Sequence, residues 1–377
     1  MQFTVSGIKT LIRSAVLVSL VMLLTACFQT GRSDPLRIDV QGTKYHPGHY
    51  VFTQISRAYP PDERNRRRIG FIRAYLDEPL IRGFMSHMEW RVLEPKRGQY
   101  NLKPIADILK TLEGTDKYFA LYIRDRNFGK DCKYAPVPEY LRHGSKEFGA
   151  AFKHAGVTCM IELYHPAVMD RKIALYKAIG DAFDSHPNFE MITDGESAIG
   201  GVDGFSHEQW LAQLKRFYTE AKLALPHTMV LMQLNFLGDG VGMMDELAAH
   251  MAEVGGGAIG LPDMVPCRRR DLPESEVCGY TIPGYDVLRK YRGEIAISPD
   301  AETWDLQYDE TDEVMSMALD YLGANHVFWS SSFSSRRDKA PGTPSDYFED
   351  QVLPAIEKVD ARINTGCPES LKPCLAE

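Results

Sequence analysis

Eight short runs rich in apolar, β-branched and aromatic residues recur along the chain, and helical patterns separate most of them. The runs are Tyr50–Ser56, Ile81–Trp90, Tyr118–Arg124, Phe189–Thr193, Met229–Phe236, Ala258–Val265, Ile295–Ser298 and His326–Ser330. Between them, helices are expected over Leu102–Leu112, Pro166–Phe183, His207–Ala224 with Ser206 as its cap, Met243–Val254, Tyr285–Tyr291, Asp312–Leu322 and Asp346–Val359. Gly255-Gly256-Gly257 makes a strong stop after the fourth of these. Strands alternating with helices point to a parallel sheet. Eight such units over about 300 residues fit one α/β domain, a (β/α)8 TIM barrel, which typically needs about 250 residues plus insertions. A doubly wound sheet would want a glycine-rich turn after its first strand. Gly238-Asp239-Gly240-Val241-Gly242 follows the fifth run and lacks that spacing.

The first 26 residues read as an export signal. Lys9 and Arg13 give a positive start, Ala15–Leu24 a short apolar stretch, and Leu24-Thr25-Ala26 places small residues ahead of Cys27. That arrangement resembles the lipobox of bacterial lipoproteins, which implies acylation of Cys27. The apolar stretch falls short of the roughly 20 residues that a spanning helix needs. Residues 27–40 are then anchor and tether, and 41–377 are the barrel with a cysteine-bearing tail. Membrane contact is expected through the lipid alone. Phe28, rather than aspartate, follows the cysteine, so in a Gram-negative cell the outer membrane is the default destination.

Six cysteines remain beside Cys27, an even number suited to an oxidising compartment. They fall into local couples: Cys132 with Cys159, Cys267 with Cys278, and Cys367 with Cys374. Each couple brackets a loop-like segment, which favours local pairing among the 15 possible connectivities. No Cys-x-x-Cys is present, and the histidines lack zinc-ligand spacing, so no metal is expected. The net charge is −8 with no long basic run, which argues against nucleic acid as a partner. Oligomeric state is not legible.

Active sites of such barrels lie at the C-terminal ends of the strands. The second run ends in His87, Glu89, Trp90, Glu94 and Pro95, and the third in Arg124, Asp125, Arg126 and Asn127. The fourth is followed by Asp194, Gly195 and Glu196, the fifth by Asn235 and the sixth by Asp263. The seventh leads to Asp300, Glu302 and Trp304, and the eighth ends in Trp329. No serine nucleophile elbow, P-loop or His-Glu-x-x-His appears. Paired carboxylates among aromatic residues suit glycoside hydrolysis: one protonates the leaving oxygen while the other attacks the anomeric carbon or activates water.

Trp90-Arg91-Val92-Leu93-Glu94-Pro95-Lys96-Arg97-Gly98-Gln99-Tyr100 resembles the W-x-x-L-E-P-x-x-G-x-Y segment of clan A glycoside hydrolases, notably the β-galactosidase-like families. Pro138-Glu139-Tyr140-Leu141 is similar to their proline-aromatic segment after the third strand. The resemblance implies a retaining hydrolase with acid/base glutamate on strand four and nucleophile on strand seven, here Glu196 and Glu302, and no cofactor. Gly195 stands where those families usually carry asparagine. Around the pair, Trp90, Arg124, Asp125, Asp194, Asn235, Asp263, Trp304 and Trp329 are expected to bind a carbohydrate substrate. Glu94 is expected to close the turn at Pro95 and Gly98. By strand alternation, Asp194 shares a face with Glu196, and Asp300 with Glu302, so each aspartate is a rival catalyst. The alternative from another class is a non-catalytic carbohydrate-binding lipoprotein on the same scaffold.

Overall fold

The structure, a computed structural model, describes residues 42–375 apart from 54, 56–58, 129–134, 143–144, 150–152, 156–157, 200–205, 239–240, 263, 265–283, 302, 304–309 and 333–345. Eight parallel strands form the barrel: β1 Gly48–Thr53, β2 Gly83–Glu89, β3 Tyr118–Arg124, β4 Phe189–Glu196, β5 Met229–Gln233, β6 Gly257–Gly260, β7 in two segments, Ala296–Ile297 and Asp300–Ala301, and β8 His326–Ser330. β7 closes the sheet. Its first segment pairs with β6 and its second with β8. Pro299, which has no N–H, sits at the break. Backbone bonds carry the ladder across it, Asp300 N to Leu261 O and Phe328 N to Pro299 O, at 2.8 and 3.1 Å.

Strand alternation splits the core into two layers. Inward-facing residues such as Tyr50, Met85, Ala120, Met191, Leu231 and Phe328 fill the barrel. Outward-facing Val51, Phe84, Leu121, Ile192, Val230 and Val327 pack under the helices. Helix α1 spans Pro61–Ala74, α2 Lys103–Leu112, α3 Pro166–Phe183, α4 His207–Ala224 and α5 Val241–Val254. Ser206 Oγ accepts the Gln209 N–H at 3.2 Å, the cap expected for α4. None of the described helices is long and apolar enough to cross a membrane.

Helix α1 was absent from the sequence expectation. Its buried residues are Arg64, Asn65, Arg68 and Ile72, so its inner face carries guanidinium groups where an apolar stripe would signal a helix. A three-stranded antiparallel sheet, Asn127–Phe128, Lys153–Ala155 and Thr158–Met160, follows β3 and was likewise not expected.

At the N-terminal end of the barrel, Thr43–Lys44 pairs in parallel with Cys374–Leu375. Cys367 and Cys374 form a disulfide with Cα atoms 6.1 Å apart, as expected for that couple. Cys27, Cys132, Cys267 and Cys278 lie outside the described residues, which leaves Cys159 without a described partner position. Inside the same end of the barrel, Glu190 accepts from the His46 backbone N–H and from His46 Nδ1, each at 2.7 Å, with His326 Nε2 3.7 Å away. Burial pushes this carboxyl up, but the two histidines outweigh it and bring the pKa down to about 2.

Candidate active site

The C-terminal end of β4 departs from regular pairing. Thr193 lies opposite Leu231 and Glu196 opposite Gln233, so Asp194 and Gly195 together face the single residue Met232. This is a β-bulge, and Gly195 occupies it with φ +86°. A Cβ at that position would stand 2.7 Å from Tyr122 Oη on β3. The bulge therefore demands glycine both for its left-handed backbone and for the close approach of Tyr122. That accounts for the absence of the asparagine usual in the resembling families.

The extra residue also overturns the expected shared parity of Asp194 and Glu196. Asp194 turns outward into the helix layer, where its carboxylate meets Lys172 Nζ of α3. Glu196 sits opposite inward-facing Gln233 and is partly exposed. The Asn235 amide donates to Glu196 Oε2 at 2.7 Å, while Asn235 Oδ1 accepts the Ala198 N–H at 2.9 Å. Asn235 is itself buried, so it orients Glu196 rather than offering a surface to substrate.

Behind the bulge lies a buried set of two cations and two carboxylates. Lys172 Nζ donates to Asp125 Oδ2 at 2.7 Å as well as to Asp194. Arg126 Nε donates to Asp125 Oδ1 at 2.7 Å, and Arg126 Nη1 donates to the carbonyl of Glu196 at 2.6 Å and to that of Ala198. Burial raises the Asp125 carboxyl, but Arg126 and Lys172 outweigh it and hold it below the ordinary range. Burial pushes Asp194 up, and neighbouring Asp125 adds to that. Asp125 and Asp194, expected to bind substrate, are thus corrected to the framework that fixes the backbone of Glu196.

Two tryptophans are corrected in the same way. Trp90 is fully buried; its indole N–H donates to Glu94 Oε2 at 2.8 Å. Glu94 also accepts from Gly98 N at 2.8 Å and from Arg171. The motif segment is therefore a lock on the loop after β2, with Glu94 closing the turn as expected. Trp329 faces outward on β8, is buried under the helices and donates to His49 Nδ1 at 3.0 Å. Neither ring presents a face to solvent, and stacking on a sugar requires one. Asp263, Glu302 and Trp304 lie outside the described residues. Asp300, just before Glu302 in the chain, is fully buried and accepts from Gln233 Nε2 at 2.8 Å.

Of the aromatic groups inside the mouth, His87 was named only as a strand-end residue, and Phe52 and Tyr122 were not selected. His87 on β2 meets Phe52 of β1 edge-on at 4.4 Å and Tyr122 at 4.1 Å between ring centroids. Arg124, one inward position beyond Tyr122, is half-buried at the end of β3. Lys172 and Gln233 were also overlooked. Lys172 left a signal: it falls on the buried stripe of α3 with Val168, Leu175 and Ile179, where a cation needs a buried partner.

A cavity of about 320 Å³ opens at the other end of the barrel, lined among others by Lys44, Asp184 and His227. Its polar groups serve the fold: Lys44 Nζ donates to the carbonyls of Asp184 and His186, and Asp184 accepts from His227 and Thr228. Among the described residues no three His, Cys, Asp or Glu side chains are placed to hold a metal ion.

No family model matches the chain, and no curated protein matches it in sequence. Its backbone is similar to that of endo-glycoceramidase II from Rhodococcus sp. in complex with ganglioside GM3, at 15% identity and TM-score 0.51 over 78% of this chain and 76% of that one. The lactosyl-enzyme intermediate of the same Rhodococcus protein gives 14% identity and TM-score 0.53 over 85% and 80%. GH5_18 from Streptomyces cattleya in complex with GlcNAc gives 13% identity and TM-score 0.52 over 87% and 79%. At these identities the likeness establishes the (β/α)8 barrel fold.

Proposed function

We propose that the chain is a retaining glycoside hydrolase of the cell envelope, with Glu196 as general acid/base and Glu302 as nucleophile. The observation that carries this reading is the β4 bulge, which turns Glu196 into the barrel and leaves its carboxylate held by Asn235. Buried charges fix the backbone on one side and a buried amide fixes the carboxylate on the other; a proton donor needs that degree of positioning. In the sequence Glu302 comes directly after the second segment of β7, the strand expected to supply the nucleophile. The neighbours on this fold include a glycosyl-enzyme intermediate and a GlcNAc complex, which supports glycoside chemistry and a covalent route.

In that route, a Glu302 carboxylate oxygen attacks the anomeric carbon as Glu196 passes its proton to the departing glycosidic oxygen. Glu196, now ionised, takes a proton from water, and the hydroxide equivalent displaces Glu302 from the anomeric carbon. The net stereochemistry is retained. The test is turnover: the mature chain should release phenol from at least one member of an aryl glycoside panel, and Glu302→Ala should abolish it. A chain that binds glycans but turns over nothing would instead be a carbohydrate-binding lipoprotein.

Export and lipidation belong to the same proposal. The Leu24-Thr25-Ala26-Cys27 segment supports acylation at Cys27, which would hold the chain at the membrane.

A further inference from the structure

Among the described residues, Arg124 is a strand-end cation at the mouth without a counter-charge. Among the described residues none forms a hydrogen bond or an ion pair with it. It ends β3 on the inward-facing side, after Tyr118, Ala120 and Tyr122. Its register partner on β2 is Glu89, and that group is already taken, while Glu196 ends β4 on the other side of β3 without an ion pair to Arg124. Glu89 Oε2 accepts from Arg64 of α1 at 3.1 Å and from Arg91 at 2.8 Å. Arg68 is also buried here, donating to the carbonyl of His87.

Three guanidinium groups, those of Arg64, Arg68 and Arg91, therefore gather around one carboxylate at the end of β2, and Arg124 ends the neighbouring strand β3. Among the described residues, other cations near the mouth are paired: Arg126 and Lys172 meet Asp125 and Asp194, and Arg171 meets Glu94. The excess is local, in a chain whose overall charge is negative. Holding a half-buried cation without a partner costs free energy that a neutral ligand does not return. An anion does return it, and the planar fork of arginine presents two parallel N–H groups that match a carboxylate or a sulfate.

We propose that Arg124 binds an anionic substituent of the glycan, a carboxylate or a sulfate ester, and that the substrate class is an acidic polysaccharide or oligosaccharide. The proposal deepens the hydrolase reading and rests on it for the word substrate; the anion site itself does not require turnover. Arg64, Arg68 and Arg91 add long-range attraction.

The test is binding, measured by saturation-transfer NMR on the mature chain. The probes are D-glucuronate and D-galacturonate for the carboxylate arm, D-galactose 6-sulfate for the sulfate arm, and D-glucose and D-galactose as neutral references. At least one anion should bind roughly tenfold or more tightly than its neutral parent at low salt, about 1.4 kcal/mol. Arg124→Gln should erase that preference, and Arg124→Lys should keep part of it. The lysine variant also keeps the test valid if the glutamine variant fails to fold. Equal affinity for anions and neutral sugars, or a preference that survives in Arg124→Gln, overturns the assignment. Neutral aryl glycosides turned over without any anion preference would sink the anion site and leave the hydrolase reading intact. Arg124-dependent anion binding with no turnover would do the reverse.

Discussion

Asn235 and Glu196 meet across two adjacent strands through a 2.7 Å hydrogen bond from the Asn235 amide to Glu196 Oε2. The amide is buried and its oxygen is occupied by Ala198 N, so its orientation is fixed before any ligand arrives. A bond to a charged group contributes about 1.5–3 kcal/mol. Asn235→Ala should lower kcat by roughly 10- to 100-fold while KM stays within a few-fold, because the group acts through Glu196. It should also move the basic limb of the kcat–pH profile. An unchanged kcat and profile would remove Asn235 from the mechanism.

Gly195 is tied to Tyr122 by the 2.7 Å approach calculated for a Cβ at its position. Gly195→Ala should destabilise the fold by about 1–3 kcal/mol, from the left-handed backbone together with the contact. Tyr122→Phe removes the offending oxygen, so the double variant should recover part of the loss in a urea-denaturation cycle. Additive losses would mean that the bulge tolerates a side chain and that glycine is there for another reason.

Glu190 sets an acid limit. Its pKa falls from 4.5 to about 2 in the folded state, so its contribution is complete above pH 4.5 and disappears as the pH falls through 2. A shift of that size corresponds to about 3 kcal/mol at neutral pH. Glu190→Gln should cost about that much at pH 7, and the difference from wild type should shrink steadily between pH 4.5 and 2. A difference independent of pH over that window would contradict the assignment of the low pKa to this group.

The barrel was legible because its strands are apolar on both faces and α2 to α5 carry ordinary helical patterns. Helix α1 was hidden because Arg64 and Arg68 take the place of apolar residues on its buried side. At the site, Glu196 could be found by counting strands, but its relation to Asp194 could not. Alternation gives both residues one face, and only the inserted Gly195 in the ladder separates them. Trp90 and Trp329 misled for a related reason: a strand-end tryptophan is a sugar platform only when its ring is uncovered, and sequence does not report cover.

Anchorage is separable from chemistry. If Cys27 is acylated as proposed, Cys27→Ser should move the protein from the membrane fraction to the soluble exported fraction. Metabolic labelling with a fatty-acid analogue should mark wild type and not the variant. Unlabelled wild type that fractionates with the variant would rule out lipidation.

The central claim is the division of labour between Glu196 and Glu302, and azide rescue tests it most directly. On an aryl glycoside whose leaving group needs no proton, Glu196→Ala should still form the glycosyl-enzyme but release it slowly, for want of a base to activate water. Azide, which needs no base, should accelerate turnover and yield the glycosyl azide with retained configuration, while Glu302→Ala should form no glycosyl-enzyme, and azide attacking the anomeric carbon directly in that variant should give only the glycosyl azide of inverted configuration. No azide rescue of Glu196→Ala, a glycosyl azide of retained configuration from Glu302→Ala, or a product of inverted configuration from wild type would contradict the assignment.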